Sequence, residues 1–376
     1  MTLCSKVQCT GCGACFNRCA KGAISMVADE DGFAYPQIDA GKCVGCGLCQ
    51  RACPQLVPPP FHPPMGKKVY AAWAKDDAIR LASSSGGLYT VFAQEILKRG
   101  GLVNGVAYDK DFNLTHRLVD KAEDLAALRG SKYVQSDIGD IYRRVEQVLK
   151  DGQPVLFTST PCQVAGLYSF LGKPYDNLVT CDFVCHGVPS PAFFKESVRH
   201  NEGTCFRKLP GWGYNPEMEY GVYFRAFKWA LSLRESCYRC RYASFSRVSD
   251  LTIGDFGGVG TWWPFVHHDA VKGVSVLLVN SEKGRSFVDA VSEHDMIYER
   301  RDVHECEQNH QLYFPVRRPL AQVEFYARMR ERGFNWAQAE IGKMRPEEQP
   351  VDPLVRRCRS FLSRAIGYVI KRLVRL

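Results

Sequence analysis

Two stretches near the start of the chain, CTGCGACFNRC (residues 9–19) and CVGCGLCQRAC (residues 43–53), decide the fold around them. Each is a C-x2-C-x2-C-x3-C run. Three thiols two residues apart wrap a tight loop around one face of a compact object, and the fourth points away from it. In paired runs of this kind the fourth cysteine completes the other site, and the object is a 4Fe–4S cube. One cluster is therefore expected on Cys9, Cys12, Cys15 and Cys53, and its partner on Cys43, Cys46, Cys49 and Cys19. Gly11, Gly13, Gly45 and Gly47 let backbone N–H groups approach the cluster sulfurs. Pro54 follows the second run, whereas Ala20 stands at the matching place after the first. Cys4 lies outside the pattern and is not expected to be a ligand.

Zinc or disulfides are the competing readings of so many thiols. Structural zinc sites use paired C-x2-C units four ligands at a time, which two four-cysteine runs do not resemble. Disulfides suit secreted mini-proteins. Here the total of 17 cysteines is odd, and the opening residues have no apolar core of the signal-peptide kind. With no stretch near the roughly 20 apolar residues of a membrane-spanning helix, a cytoplasmic location is expected.

Outward from the cysteine runs, composition is ordinary: 45% hydrophobic and 24% charged over 376 residues. The net charge of +9 suggests nucleic acid until its location is found. Residues 354–376 are rich in Arg and Lys and contain no acid, so the rest of the chain is nearly neutral. That counts against a nucleic-acid module. In the same tail Leu354, Cys358, Phe361, Leu362, Ala365, Val369 and Leu373 recur at helical spacing. Such a helix suits peripheral contact with an anionic membrane surface, a partner protein, or its own domain.

Six prolines between Pro54 and Pro64 cannot continue a helix or central strand, so an extended linker is expected over residues 58–67, after a cysteine-rich domain of residues 1–57. From Val69 strands and helices alternate. VYAAWA, LVNGVAYD, PVLFTS, NLVTCDFV, LTIGDF and VSVLLVN read as strands. Helices are expected from Leu88 to the Gly100–Gly101 stop, from Ser136 to Lys150, and from Gln163 to Leu171. The fold class is thus an α+β ferredoxin-like dicluster domain followed by an α/β body, with sheet order open.

The body has cysteines of its own. Cys162, Cys185, Cys237 and Cys240 could supply four ligands to a third cluster. Spacing alone leaves that reading level with a bland one, in which Cys162, Cys181 and Cys185 are small buried side chains near strand ends. The SSSGG stretch (residues 83–87) places hydroxyls and glycines before a helix, a donor-rich place for a phosphate or an ordinary capped turn. GSKY (residues 130–133) offers a cation and an aromatic ring, or is a solvated loop. GDFGG (residues 254–258) follows a strand, where α/β proteins often bind ligands. His186, next to Cys185, is a candidate hydrogen-bond donor to a cluster or cofactor.

Read together, SSSGG, GSKY, TPCQ, CDFVCHGVPSP, C-x2-C at Cys237 and Cys240, SDLTIGDFGG and VSVLLVNSEKG resemble, in order, the beta-subunit family of coenzyme F420 hydrogenases and dehydrogenases. The resemblance runs from about Val69 to about Pro319. It divides the body into a family N-terminal part (residues 68–150) and a C-terminal part (residues 151–320), followed by a helical tail (residues 321–376). It implies a bound FAD and favours the third 4Fe–4S cluster. It also makes Ser85, Gly86, Gly87 and Lys132 flavin contacts. Gly257 departs from a bulky aromatic common in relatives. The implied function is a flavin-dependent iron–sulfur oxidoreductase acting on a deazaflavin or another small organic substrate. The alternative is an electron-transfer subunit of a larger redox complex. Its partners are then a redox protein or a small-molecule electron donor or acceptor, with no nucleic acid.

Overall fold

The computed structural model describes residues 3–63, 68–207, 214–267 and 270–343. The amphipathic reading of residues 354–376 lies outside these. The chain forms two compact units, Met1–Arg318 and Pro319–Leu376.

In the first unit each cysteine run turns into a short helix, α1 (Ala14–Arg18) and α2 (Leu48–Arg51). Both are entered through a left-handed glycine, Gly13 at φ 70° and Gly47 at φ 71°, a conformation that costs any other residue about 1–2 kcal/mol. Between them lies an antiparallel hairpin, β1 (Ile24–Ala28) and β2 (Ala34–Ile38), in register Ile24 to Ile38. The proline-rich segment then runs along the body rather than away from it. Phe61 stacks on Tyr242, and the backbones of His62 and Arg247 pair.

The body is an eight-stranded sheet in the order β10-β3-β9-β8-β7-β6-β4-β5. Its strands are β3 (Val69–Ala74), β4 (Leu102–Tyr108), β5 (Leu114–Val119), β6 (Val155–Ser159), β7 (Leu178–Phe183), β8 (Leu251–Asp255), β9 (Ser275–Val279) and β10 (Met296–Arg301). The middle four, β4, β6, β7 and β8, run parallel, and antiparallel strands extend both sides. Helices follow in chain order: α3 (Asp77–Leu81), α4 (Leu88–Lys98), α5 (Leu125–Leu128), α6 (Ile141–Lys150), α7 (Pro161–Leu171), α8 (Pro191–Arg199), α9 (Pro216–Glu219), α10 (Val222–Lys228) and α11 (Glu282–Ser292).

Period-two alternation along β3 serves two cores at once. Tyr70, Ala72 and Ala74 face the layer of α4 and α11, with Phe92 and Phe287, while Val69, Ala71 and Trp73 face Phe256 and Leu312. A third core joins α6 and α7 through Tyr142, Val145, Val164 and Phe170.

One helix is shorter than its sequence pattern. The expected start at Ser136 gives way to Ile141, because residues 136–138 pair beside β5 instead: Asp137 N donates to Leu114 O (2.8 Å) and His116 N to Asp137 O (3.2 Å). In the second unit α12 (Gln322–Arg332) and α13 (Phe334–Lys343) pack through Phe325 and Trp336.

Candidate iron–sulfur and redox site

Cys9, Cys12, Cys15 and Cys53 line one pocket between α1, the hairpin and the turn after α2. Cys9, Cys12 and Cys53 are buried and Cys15 is half-buried. Cys4 lines the same pocket, although it falls outside the spacing pattern. The second set faces outward: Cys46 is exposed, Cys43 and Cys19 are half-buried, and Cys49 is buried. Burial raises the Cys49 thiol, and the neighbouring Cys19 and Cys46 add to that rise. The backbone amide of Ala23 donates to Cys19 Sγ at 3.3 Å.

This block is fixed to the body by polar contacts and close packing. Arg143 donates to Asn17 O (2.7 Å) and Phe16 O (2.8 Å), and Gln135 Nε2 donates to Thr10 O (3.1 Å). Ser190 Oγ, which caps α8, donates to Asp31 O. Arg234 is fully buried and donates from Nε to Cys9 O (2.8 Å) and from a terminal nitrogen to Ala34 O (3.0 Å). Cys12 presses on α7 at Gly166, where an added Cβ would stand 3.0 Å from Cys12 Cβ.

The body's own thiols converge at the strand ends. Cys162 opens α7 beyond β6, Cys185 follows β7, and Cys237 and Cys240 come from the turn before β8. Burial pushes Cys185 well above the ordinary thiol range, with Cys237, Cys162 and Cys240 adding to it. Burial likewise lifts Cys162 to about 11 and Cys237 to about 12, each helped by Cys240. Four half-buried thiols gathered at one place, where their thiolates would repel one another, are a poor core and a good cation-binding set. Cys181, by contrast, lies in the sheet core, and Cys306 is buried beside Phe256 and Leu312. Among the described residues no group of three or more His, Cys, Asp or Glu closes to the spacing of a single metal ion. A cube holds its four ligands further apart than one tetrahedral ion does.

Next to Cys185 the sequence-derived loops meet. Ser131 N donates to Ser84 Oγ (3.0 Å), tying GSKY to SSSGG. Arg207, which sequence reasoning missed, binds Ser84 O (2.7 Å), Tyr133 Oη (3.2 Å) and Asp255 Oδ2 (2.6 Å). Its Nε is buried without a partner. His186 is exposed, yet surrounding protein holds it below the usual imidazole range, opposed by Asp255 and helped by His310 and Arg207. Ser85 and Gly86 are engaged elsewhere: Ser85 Oγ donates to Val274 O (3.0 Å), Gly86 N to Ser275 Oγ (2.9 Å). A Cβ at Gly86 would lie 2.4 Å from Ala72 O, so this glycine is required by the approach of loop to strand. Gly87 caps α4 in the left-handed region. Lys132 Nζ donates to Leu128 O, Arg129 O and Gly130 O, and burial lowers it to about 8.

A 4Fe–4S dicluster domain model matches residues 8–57, which makes the chain an iron–sulfur protein. Models for the N-terminal and C-terminal parts of the coenzyme F420 hydrogenase/dehydrogenase beta subunit match residues 69–142 and 152–304. The chain belongs to that family. An uncharacterized ferredoxin of Methanocaldococcus jannaschii is 38% identical over 47 residues, 12% of this chain and 60% of its own length. A protein named as a ferredoxin in Sinorhizobium fredii is 29% identical over 75 residues, covering 15% of this chain and 71% of its own. A chain of the F420-reducing NiFe hydrogenase complex from Methanosarcina barkeri overlays with a TM-score of 0.45 at 17% identity, over 71% of this chain and 93% of that one. No helix among the described residues is long and apolar enough to cross a membrane.

Proposed function

We propose that the protein is an iron–sulfur flavoprotein oxidoreductase that passes electrons between three 4Fe–4S clusters and FAD, to or from a deazaflavin of the coenzyme F420 type or another small organic substrate. Cys43, Cys46, Cys49 and Cys19 hold the outer cluster, and Cys9, Cys12, Cys15 and Cys53 the inner one. Cys162, Cys185, Cys237 and Cys240 hold the third. The observation that carries this reading is α7: its first turn bears Cys162, and its Gly166 is pressed against Cys12. One helix thus ties the inner thiols to those of the body.

The donor set fits clusters, since the inner thiols are mostly buried and those of the third set half-buried, each surrounded by the others of its set. It fits a phosphate-bearing flavin beside Cys185, where Arg207 has a buried, unpartnered Nε and His186 is exposed. Ser131 N ties the loop of Lys132 to Ser84 in the loop of Gly87, and Ser85 and Gly86 of that loop bind Ser275. Bound there, the clusters carry electrons singly and the flavin exchanges them with a two-electron donor or acceptor. The chain's own residues orient and shield: Arg207 clamps Ser84, Tyr133 and Asp255 into one wall, and Tyr142 and Phe170 dry the side of α7 behind Cys12.

Anaerobic purification with iron, sulfide and flavin measured per chain tests the reading. About twelve irons and one flavin are expected, falling to about eight irons in Cys185→Ser. About eight irons in the parent would remove the third cluster, and protein without stoichiometric flavin would remove the FAD. A second reading, an electron-transfer subunit of a larger complex, draws on the outer loop, where Val44 is 64% exposed between Cys43 and Cys46. Turnover of a reduced deazaflavin by the purified chain alone separates the two, since a subunit without its own substrate site gives none.

A further inference from the structure

We propose that Arg234 sets the reduction potential of the inner cluster, its buried guanidinium serving as counter-charge to the thiolate ligands around Cys9. The inference rests on the reading of Cys9, Cys12, Cys15 and Cys53 as ligands of one cluster. Arg234 has no measurable exposure, and none of the ion pairs among the described residues includes it. Its partners are Cys9 O (2.8 Å), Ala34 O (3.0 Å) and Gln135 Oε1 (2.9 Å), all neutral, with Cys9 Sγ at 3.8 Å. The guanidinium also lies 4.2 Å from the Tyr35 ring centroid and 5.5 Å from that of Phe33. An arginine keeps its charge in any protein environment, and a buried charge with only neutral partners is costly. Of the atoms within reach, Cys9 Sγ alone becomes an anion on ligating iron.

A cube ligated by four thiolates is a net anion, and reduction adds a further negative charge. A fixed cation beside it therefore favours the reduced form. Burial makes the effect large here, because neither water nor salt screens it. The outer loop supplies the contrast: Arg51 donates to Cys46 O at 3.3 Å but is exposed to solvent. Arg234 is also held in place from the other side. Its amide donates to Val188 O and its carbonyl accepts from Cys237 N, both at 2.9 Å, so the residue sits between the inner thiols and those of the body.

Redox titration followed by electron paramagnetic resonance of the full chain tests this. Arg234→Gln is expected to lower the reduced-to-oxidised ratio of the inner cluster at fixed potential at least tenfold, about 59 mV for one electron. Arg51→Gln should move the outer cluster by no more than about threefold. Arg234→Lys keeps the charge and should recover most of the lost ratio. Gln135→Glu puts a carboxylate against the guanidinium at an almost unchanged shape and should also lower the ratio at least tenfold. If Arg234→Gln fails to assemble, Gln135→Glu decides. An unchanged inner potential in the Glu variant, or a Lys variant shifted as far as the Gln one, overturns the proposal. Parent protein with no inner-cluster signal would instead overturn the ligand reading beneath it.

Discussion

Replacing Gly166 by alanine probes the contact on which the proposed electron route depends. The new Cβ would stand 2.7 Å from Tyr142 Oη, 3.0 Å from Cys12 Cβ and 3.1 Å from Cys12 Sγ. None of these neighbours can retreat freely. Tyr142 is fully buried, and its hydroxyl donates to Gln163 O at 2.7 Å; Cys12 is fixed by its loop. Overpacking of this kind costs about 1–3 kcal/mol, and losing the tyrosine hydrogen bond about 1 kcal/mol more. Exchanging glycine for alanine within a helix returns about 1 kcal/mol. A net loss of about 1–3 kcal/mol is expected. Anaerobic urea denaturation of the cluster-loaded protein, followed by circular dichroism, reads it as a lower midpoint. Reduction of the third cluster through the outer one should slow in the same variant. A midpoint equal to or above the parent's would refute the reasoning, because the helix gain would then be unopposed.

Two further outcomes follow from buried polar groups. Asp182→Asn should cost about 3–5 kcal/mol in the same denaturation assay, since it strips the charge partner from Arg247, 2.8 Å away and also buried. An unaltered midpoint would mean that the pair contributes nothing. His116 lies between Asn104 and Ser136 Oγ (3.1 Å), and burial lowers it from 6.5 to about 3, with Gln163 opposing weakly. The folded protein therefore leaves this imidazole neutral in a range where the unfolded chain binds a proton. Stability should fall as pH drops from about 6.5 toward 3. His116→Gln should flatten that slope; an equal slope would assign the acid sensitivity to other groups.

Much of the chemistry was legible because ligand spacing is local. A C-x2-C-x2-C-x3-C run fixes its loop within eleven residues, and it is the doubling of the run that implies the crossing of Cys53 to the set of Cys9 and of Cys19 to the set of Cys49. Strands such as Val69–Ala74 and Ser275–Val279 were equally plain, being short apolar runs bounded by turn residues. The edge strands β5 and β10 were not seen, because LTHRLV and MIYERR carry charge at the half-exposed places that edges tolerate. Arg207 and Arg234 gave no signal either. An isolated arginine in a sequence looks the same whether it lies on the surface or beside a buried thiol.

What the sequence determined by itself was the local grammar: which thiols form a loop, where most of the inner strands and helices run, and that the basic charge is concentrated after residue 353. Tertiary structure decided which distant groups meet. It brought Cys162, Cys185, Cys237 and Cys240 to the same strand ends, set Cys12 against Gly166, and buried Arg234 between the two blocks. The reason is physical: backbone spacing is encoded residue by residue, whereas proximity across the sheet depends on strand order and register. Those emerge only when the hydrophobic faces pack together.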